Sequence, residues 1–420
     1  MDLKRREFLM AAGVGTIGAS AATAAGDDGG SGAVAASTDP NRSISGSAAI
    51  SVREGGPDAP PLAPPDEQPP NLDVPTPPEK TLGWALVGLG TLTLDEIMPS
   101  FGACRLSKPT ALVSGHRDKA ERVADAYGIS RDAIYSYDDY DRIAGDDRID
   151  VVYNVLPNNM HAEYTIRAME AGKDVLCEKP MAVTVGECDD MIAAAERTGR
   201  KLGIAYRLHH EPMNTSVMAM CRNQSFGKLL TIESSFCIPI EAPNIRLSAK
   251  LGGGPLGDIG VYCLNALRYI SGEEPVEVFG QAHQTDDSKF REVPERVQFT
   301  CKFPSGVLGH ADCSFGGGNG SQFRVNCENG IIEMSPAFEY RGLRLTTQSQ
   351  HDLPDGSKRP VKVEHQITEV DQFAAEMDAF SRAVIDNEPY ATEGDHGRQD
   401  MVLMAAINQS IRESRPVRLG

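Results

Sequence analysis

The sequence predicts an α/β domain followed by an α+β domain with a large, mainly antiparallel sheet, and three observations support this fold class. The chain has 420 residues, more than one ordinary domain needs. From residue 82, short apolar runs alternate with helical stretches, which is typical of a doubly wound parallel sheet. Beyond residue 206, polar and apolar residues alternate between turns rich in Gly, Pro and Asn, which indicates antiparallel strands.

The α/β domain is predicted over residues 81–206. Its strands are expected in LGWALVGLG, TALVSG, IDVVYNVLP, DVLCEKP and KLGIAY. The helical stretches between them are LTLDEIMPSF, DKAERVADAYG, HAEYTIRAMEAGK and VGECDDMIAAAERTG. Strands and helices at this spacing predict a parallel sheet that is covered on both faces.

The α+β domain is predicted over residues 207–420. Its strands are expected in KLLTIESSFCI, VEVFGQAHQT, RVQFTCKFP, GVLGHADCSF and SQFRVNCE. Two amphipathic helices, in DQFAAEMDAFSRAVIDN and RQDMVLMAAINQSIRES, follow these strands. The first helix places four apolar residues on one face, which we interpret as a core stripe: Phe373, Met377, Phe380 and Val384.

The composition narrows the classes of function. A net charge of −18 disfavours nucleic acid and anionic lipid surfaces as partners. The nine cysteines include no CxxC pair and mostly stand in apolar runs, so we expect buried free thiols. We predict no metal site, because no group of His, Cys and Asp has metal-ligand spacing.

Residues 1–25 have the pattern of a twin-arginine export signal. Arg5 and Arg6 precede a short apolar run that ends in Ala22-Thr23-Ala24. The run is too short and too rich in glycine to span a bilayer. We therefore expect a periplasmic protein, or one otherwise exported by this route; the alternative is a basic start that arose by chance.

Residues 26–80 form a segment rich in proline. Ten prolines stand between Pro57 and Pro78, and such sequence prefers an extended, solvated backbone. Composition favours a stiff tether over an arm that wraps a neighbouring subunit. The segment and the exposed faces expected of a large antiparallel sheet predict a homodimer or homotetramer with the proline-rich arm at its interface.

The turn after the first strand, VGLGTLT, resembles a dinucleotide-binding fingerprint. Gly88 and Gly90 match the first two glycines of GxGxxG, which let backbone N–H groups approach a pyrophosphate. The third position holds Thr93 in place of Gly or Ala, so the fingerprint is incomplete. Because the turn opens a series of strands and helices, we predict a dinucleotide-binding domain of the Rossmann type.

The end of the second strand favours NADP over NAD. An NAD site usually has Asp or Glu there to bind the ribose hydroxyls, whereas this chain has Ser114, followed by Arg117 and Lys119. A hydroxyl group and two cations would attract a 2′-phosphate. The alternative is a solvated helix start, since Asp118 stands between the two cations.

Two further motifs contain a lysine, an aspartate and a tyrosine. Oxidation of an alcohol by a dinucleotide needs a nicotinamide to accept the hydride and a protein group, such as a tyrosine beside a lysine, to accept the proton. AGKDVLCEKPMA, with Lys179, and GGGPLGDIGVYCLNALRY, with Asp258 and Tyr262, are similar to the motifs of the Gfo/Idh/MocA oxidoreductase family. LPNNMHAEY, AYRLHHEPMN, SGEEPVEV, the export signal and the arm resemble its glucose–fructose oxidoreductase branch. The resemblance covers about residues 81–419.

The resemblance implies a role for each matching residue. Lys179 would orient the substrate hydroxyl and support the base, Tyr262 would be the acid/base, and Asp258 would bind substrate hydroxyls. Glu178 would fix the strand end on the nicotinamide side, and Arg246 would lie near the sugar. The branch has Trp before that arginine where this chain has Ile245, so the identity of the sugar stays open.

The motifs and the resemblance together predict one cofactor site. Tyr206 and Arg207 would lie near the nicotinamide, and His161 would line the cofactor side. The complete predicted set is Gly88, Gly90, Thr91, Leu92, Ser114, Gly115, Arg117, Lys119, Leu156, Pro157, Asn158, His161, Glu178, Lys179, Tyr206 and Arg207.

The resemblance implies a sugar oxidoreductase with tightly bound NADP(H). It would oxidise a glucose-like aldose to its lactone and then reduce a second sugar or carbonyl compound, such as fructose, in a ping-pong cycle. An ordinary NADP-dependent sugar dehydrogenase or reductase with exchangeable cofactor is one alternative. A non-catalytic NADP-binding sensor is another, which the presence of both Lys179 and Tyr262 disfavours.

Overall fold

The computed structural model describes residues 80–285 and 288–419 of the chain. The predicted export signal and almost all of the proline-rich segment lie outside the described residues. The described residues belong to one compact unit, in which an α/β half precedes a half built on a larger sheet. The predicted fold class is therefore confirmed.

The first half contains a six-stranded parallel sheet with the order β3-β2-β1-β4-β5-β6. All six residues of its central strand β1 are buried, because helices cover both faces of such a sheet. The strands are β1 (Leu82–Val87), β2 (Ser107–Val113), β3 (Ile134–Tyr135), β4 (Val151–Asn154), β5 (Asp174–Glu178) and β6 (Leu202–Ala205). Strand β3 was not predicted, since two residues carry no periodicity.

Among the described residues, four α-helices follow strands of this sheet, and two of them end at a left-handed glycine, Gly128 or Gly199. The first continues a π-helical turn at Thr93–Ile97, and the fourth starts at a capping box formed by Thr184 and Glu187. The helices are α1 (Met98–Ser100), α2 (Arg117–Tyr127), α3 (His161–Glu170) and α4 (Val185–Thr198). The strand order reverses between β1 and β4, and ligands bind at the carboxyl ends of strands beside such a switch point.

The second half contains a nine-stranded sheet with the order β14-β13-β12-β11-β7-β10-β9-β8-β15. Strands β7 and β10 pair in parallel, so the sheet is mixed, while the other described pairs are antiparallel. The strands are β7 (Leu229–Cys237), β8 (Glu277–His283), β9 (Arg296–Lys302), β10 (Leu308–Ser314), β11 (Gly320–Cys327), β12 (Gly330–Met334), β13 (Leu345–Asp352), β14 (Lys358–Glu364) and β15 (Val417–Arg418). Strands β12 to β15 were not predicted.

Four helices belong to this half: α5 (Pro212–Arg222), α6 (Val261–Ser271), α7 (Gln372–Asp386) and α8 (Gly394–Glu413). Helix α7 packs on the first sheet, where Phe380 lies edge-on to Trp84 at 6.0 Å between ring centroids. The Trp84 indole N–H donates to the Ser381 hydroxyl over 3.1 Å. Of the predicted core stripe, Phe373, Met377 and Phe380 are buried and Val384 is half-buried.

The nine cysteines are free thiols, five buried and four half-buried. Within the described ranges, no helix has both the length and the apolar composition that a bilayer crossing requires. The same residues place no group of three or more His, Cys, Asp or Glu side chains where a metal ion could be held.

A short turn after β6, Arg207–His210, joins the two halves. The His210 ring stacks on the Tyr390 ring with centroids 5.4 Å apart, and its Nε2 lies 2.9 Å from the Tyr390 hydroxyl. Burial lowers the pKa of His210 to about 4. The ring is therefore neutral at neutral pH and packs, half-buried, on the core residue Tyr390.

His210→Asn tests this packing. The folded pKa of His210 lies below the unfolded value of about 6.5, so its stabilisation is complete above pH 6.5 and decreases as the pH falls toward 4. Between pH 7 and pH 4.5, the wild type should lose roughly 1 to 2 kcal/mol more free energy of unfolding than the variant. Urea unfolding at both pH values measures this, with the exposed His351→Asn as control. Equal pH dependence of wild type and His210→Asn would contradict the packing.

Candidate active site

A cavity of about 640 Å³ lies at the carboxyl ends of β1, β2, β4 and β5 and is closed on its other side by residues 243–253. It brings together most of the predicted site residues: Gly88, Gly90, Thr91, Leu92, Ser114, Gly115, Lys119, Leu156, Pro157, Asn158, His161, Glu178, Lys179, Arg246 and Asp258. Four predicted residues lie off its walls: Arg117, Tyr206, Arg207 and Tyr262.

The glycine turn after β1 forms one wall. Gly88 has φ +96°, and a Cβ there would lie 2.9 Å from the Val155 carbonyl oxygen, so only glycine fits without strain. At Gly90, by contrast, an added Cβ would meet no described atom within 4 Å. The Thr93 hydroxyl donates to the Gly88 carbonyl over 2.6 Å, which gives the incomplete third position of the fingerprint a structural role.

The end of β2 forms the next part of the wall. The Ser114 hydroxyl accepts a hydrogen bond from the His116 N–H over 3.1 Å, and the Lys119 Nζ donates to the Leu89 carbonyl over 3.0 Å. Both side chains, together with His116, line the cavity. Arg117 instead binds Glu121 and two backbone carbonyls of the segment 131–134. Of the two predicted cations, only Lys119 therefore faces the cavity.

His161 ties two loops of the site together. Its side chain is buried, with Nδ1 2.9 Å from the Pro180 carbonyl and Nε2 2.8 Å from the Leu156 carbonyl. Burial lowers the pKa of His161. The ring thus fixes the residues after Lys179 against the end of β4.

Lys179, at the end of β5, connects the two halves of the molecule. Its Nζ donates to the Asp258 backbone carbonyl over 3.0 Å and lies 3.9 Å from the Asp258 carboxylate. The same ammonium group lies 4.7 Å from the centroid of the Tyr262 ring, close enough for a cation–π contact. The predicted triad of Lys179, Asp258 and Tyr262 is therefore assembled in one place.

The segment around Asp258 provides the substrate side of the cavity. A π-helical turn, Leu256–Gly260, carries Asp258 and leads into α6, which carries Tyr262. The Asp258 carboxylate accepts a hydrogen bond from the Arg246 Nε over 2.7 Å. Since both side chains remain partly exposed, their polar atoms can also bind a substrate hydroxyl.

Tyr206 and Arg207 occupy different positions from those predicted. Tyr206 is buried, and its ring packs against those of His209 and His396. Arg207 is buried behind Tyr262, with its guanidinium carbon 5.2 Å from the ring centroid. Both therefore support the site from inside the protein and contribute no surface to the cavity.

A buried pair of carboxylates behind Lys179 was not predicted. The Tyr153 hydroxyl lies 2.9 Å from Glu178 and 3.4 Å from Glu376 of α7, and Glu178 also accepts a hydrogen bond from the Lys179 N–H over 3.2 Å. Burial raises the pKa of Glu178, and it raises the pKa of Glu376 well above its usual range. Glu376 meets Tyr153 of β4 only in the folded chain, because the two residues are 223 positions apart. The spacing of residues along the sequence therefore could not predict this contact.

The lining residues fit a dinucleotide. A pocket of this volume suits a cofactor, and the positive φ of Gly88 leaves the turn without a side chain. Lys119 supplies a cation beside Ser114, and the described lining at the end of β2 contains no carboxylate. Lys179 and Asp258 lie toward the other end of the chamber, where the reactive part of a cofactor and a substrate would meet.

Comparison with known proteins gives consistent results for both halves. Residues 82–206 match the model of an oxidoreductase family with an NAD-binding Rossmann fold, and residues 215–333 match the GFO/IDH/MocA C-terminal domain. A D-xylose 1-dehydrogenase (NADP(+)) from Haloarcula marismortui is 30% identical over 347 residues, which cover 80% of this chain and 92% of that protein.

Solved structures of similar proteins have the same fold over about four fifths of this chain. An aldose–aldose oxidoreductase from Caulobacter crescentus, crystallised with glycerol, is 36% identical with a TM-score of 0.77, covering 81% of this chain and all of that chain. A 3-ketoreductase from Actinomadura kijaniata, in complex with NADP and TDP-benzene, is 24% identical with a TM-score of 0.69, covering 79% and 98% of the two chains. At that identity the second likeness shows the fold alone.

Gly88→Ala and Gly90→Ala form a matched pair that tests the glycine turn. Gly88→Ala should lower the free energy of unfolding by about 2 kcal/mol, because its backbone is strained for an L residue and its Cβ would press on Val155. Gly90→Ala should change it by no more than about 0.5 kcal/mol. Denaturant unfolding measures both values. Two variants of equal stability would contradict the geometry of the turn.

Proposed function

Because the chain belongs to the Gfo/Idh/MocA family of oxidoreductases, we propose that it is a sugar oxidoreductase that uses tightly bound NADP. It oxidises a glucose-like aldose to the lactone and returns the hydride and a proton to a second sugar or carbonyl compound. The observation that carries this proposal is that Lys179 and Asp258 line one end of a cavity that fits a dinucleotide, with the Tyr262 ring beside that end, 4.7 Å from the Lys179 ammonium.

Each residue of the triad has a defined task in the first half-reaction. Tyr262 takes the proton of the sugar hydroxyl as the C–H bond breaks. The Lys179 ammonium, 4.7 Å from the Tyr262 ring, stabilises the phenolate form of Tyr262, which is the form that can accept this proton. Asp258 and Arg246 hold neighbouring hydroxyls of the sugar. When bound, the nicotinamide ring accepts the hydride. In the second half-reaction, Tyr262 returns its proton to the oxygen of the acceptor.

The end of β2 supports NADP over NAD. A carboxylate that binds ribose hydroxyls would repel a 2′-phosphate, and the residues lining this end of the cavity are Ser114, Gly115, His116 and Lys119. Lys119 is the cation that would pair with the phosphate, and Ser114 offers a hydroxyl. The NADP-dependent dehydrogenase from Haloarcula marismortui is consistent with this choice.

Residues 243–254 support a cofactor that dissociates slowly. The Asn158 side-chain amide donates to the Gly252 carbonyl over 3.0 Å, and Glu292 accepts hydrogen bonds from the Ser248 hydroxyl and the Ala249 N–H. Together with the ion pair between Arg246 and Asp258, these contacts fix the segment as a wall of the cavity. An enzyme that keeps its cofactor must return the hydride to a second substrate, as in an aldose–aldose oxidoreductase.

Export by the twin-arginine route belongs to the same proposal. That route carries folded proteins, so a cofactor could be loaded before export, and a retained cofactor would serve a protein outside the cytoplasm. We also propose a homodimer or homotetramer with the proline-rich segment at its interface.

The similarity to D-xylose 1-dehydrogenase supports a second candidate, a sugar dehydrogenase with exchangeable cofactor.

Native mass spectrometry and turnover assays of the purified protein separate the two candidates. The retained-cofactor enzyme should carry about one NADP(H) per subunit and convert glucose plus an acceptor such as fructose without added cofactor. Each half-reaction should be visible alone as reduction or oxidation of the bound nicotinamide. Protein that is isolated empty and active only with free NADP(H) would establish the exchangeable-cofactor enzyme instead.

Tyr262→Phe tests the acid/base. Removal of the hydroxyl should lower kcat about 100-fold or more, because general acid–base catalysis contributes about 10²- to 10⁴-fold. Bound NADP should stay near one per subunit, since Tyr262 does not line the cofactor cavity. Steady-state kinetics and cofactor content are measured on the same preparation. Wild-type kcat in a variant that still binds cofactor would show that another group moves the proton.

A further inference from the structure

Arg207 is a buried cation with no salt bridge among the described residues. Its guanidinium group donates to the Phe338 carbonyl, to the Glu339 carbonyl over 3.3 Å and to the Gln372 side chain. These acceptors are all neutral. A buried charge is costly unless it is paired, so its presence at this position requires a reason.

Aromatic rings surround this charge. The guanidinium carbon lies 5.2 Å from the centroid of the Tyr262 ring, 4.6 Å from that of Tyr340 and 6.0 Å from that of Phe373. Tyr262 packs on its other neighbours, Phe236 and Phe338, through apolar contacts. Its ring is therefore held on a platform to which Arg207 contributes a fixed positive charge.

The two cations beside Tyr262 differ in kind. Lys179 carries an ammonium whose charge is shared with Asp258, whereas Arg207 stays protonated at every working pH and its planar guanidinium donates hydrogen bonds to neutral acceptors. The further charged or titratable groups near this ring and its two cations are Arg246, Asp258, Tyr340, Glu178 and, facing Arg207 from α7, Glu376. Among these neighbours Arg207 is the cation that neither solvent nor substrate reaches.

We infer that Arg207 is a positioning residue for the proton transfer: it holds the Tyr262 ring and keeps a permanent positive charge behind its phenol. The inference rests on the proposed role of Tyr262 as acid/base. It replaces the expectation that Arg207 contacts the cofactor, because the side chain lies off the cavity wall. The charge stabilises the Tyr262 phenolate, which takes the proton of the sugar hydroxyl in the first half-reaction and forms again when Tyr262 gives that proton to the acceptor.

Arg207→Met and Arg207→Lys separate charge from packing. Arg207→Met should lower kcat/KM about tenfold at neutral pH and raise the pH of half-maximal rate by about one unit, because the phenolate loses a neighbouring cation. Arg207→Lys should recover part of both effects. The rate of reduction of bound NADP by an aldose, measured across pH, gives these values. Arg344→Met, at an exposed arginine, is the matched control and should match the wild type.

Three outcomes decide the inference. An Arg207→Met profile with unchanged midpoint, or an Arg207→Lys variant no better than Arg207→Met, would overturn it and leave a purely structural arginine. If neither variant folds, Gln372→Met keeps the charge but removes its anchor, and kcat should fall several-fold while KM and bound NADP stay constant; wild-type kcat there would overturn the inference. An active Tyr262→Phe would instead overturn the proposed function itself.

Discussion

The contact between Lys179 and Asp258 is the constraint on which the site depends. The lysine ends a strand of the first sheet, and the aspartate precedes a helix of the second half, so a 3.0 Å hydrogen bond to a backbone carbonyl fixes the two halves at the reaction centre. The carboxylate of Asp258 is then free to bind Arg246. Arg246 and Tyr262 lie around this contact, so the position of the proposed catalytic groups depends on how firmly the surrounding residues hold Lys179 and Asp258.

Buried side chains around Lys179 hold the end of β5 in position. Glu178 and Glu376 share the hydroxyl of Tyr153, and burial raises the pKa of both carboxyl groups, so that they need not both be charged. His161 lies between two backbone carbonyls, and its neutral ring can donate a hydrogen bond to one of them. These side chains lose rotamer freedom in exchange for a strand end that does not move, which is what catalysis by positioning requires.

The sequence predicts the local parts of this design and misses the parts that packing creates. Gly88, Lys179, Asp258 and Tyr262 each belong to a short motif, and the parallel sheet follows from uninterrupted apolar runs. The resemblance of AYRLHHEPMN implies a position beside the nicotinamide for Arg207. Its true environment is formed by residues 338–340 and α7, more than 130 positions away. The parallel pairing of β7 with β10 is equally non-local, since α6, β8 and β9 lie between them.

The packing of α7 on the first sheet has a consequence for how this chain can be divided. Trp84 is the third residue of β1. It is covered by Phe380 and hydrogen-bonded to Ser381, both of which lie in α7, near the carboxyl end of the chain. The cofactor-binding half thus obtains part of its covering layer from the last third of the chain. A cut at residue 206 would expose an apolar face, so the two halves are not modules that recombination could exchange. Substitutions at the contact between α7 and β1 preserve the fold only if the two sides still pack together.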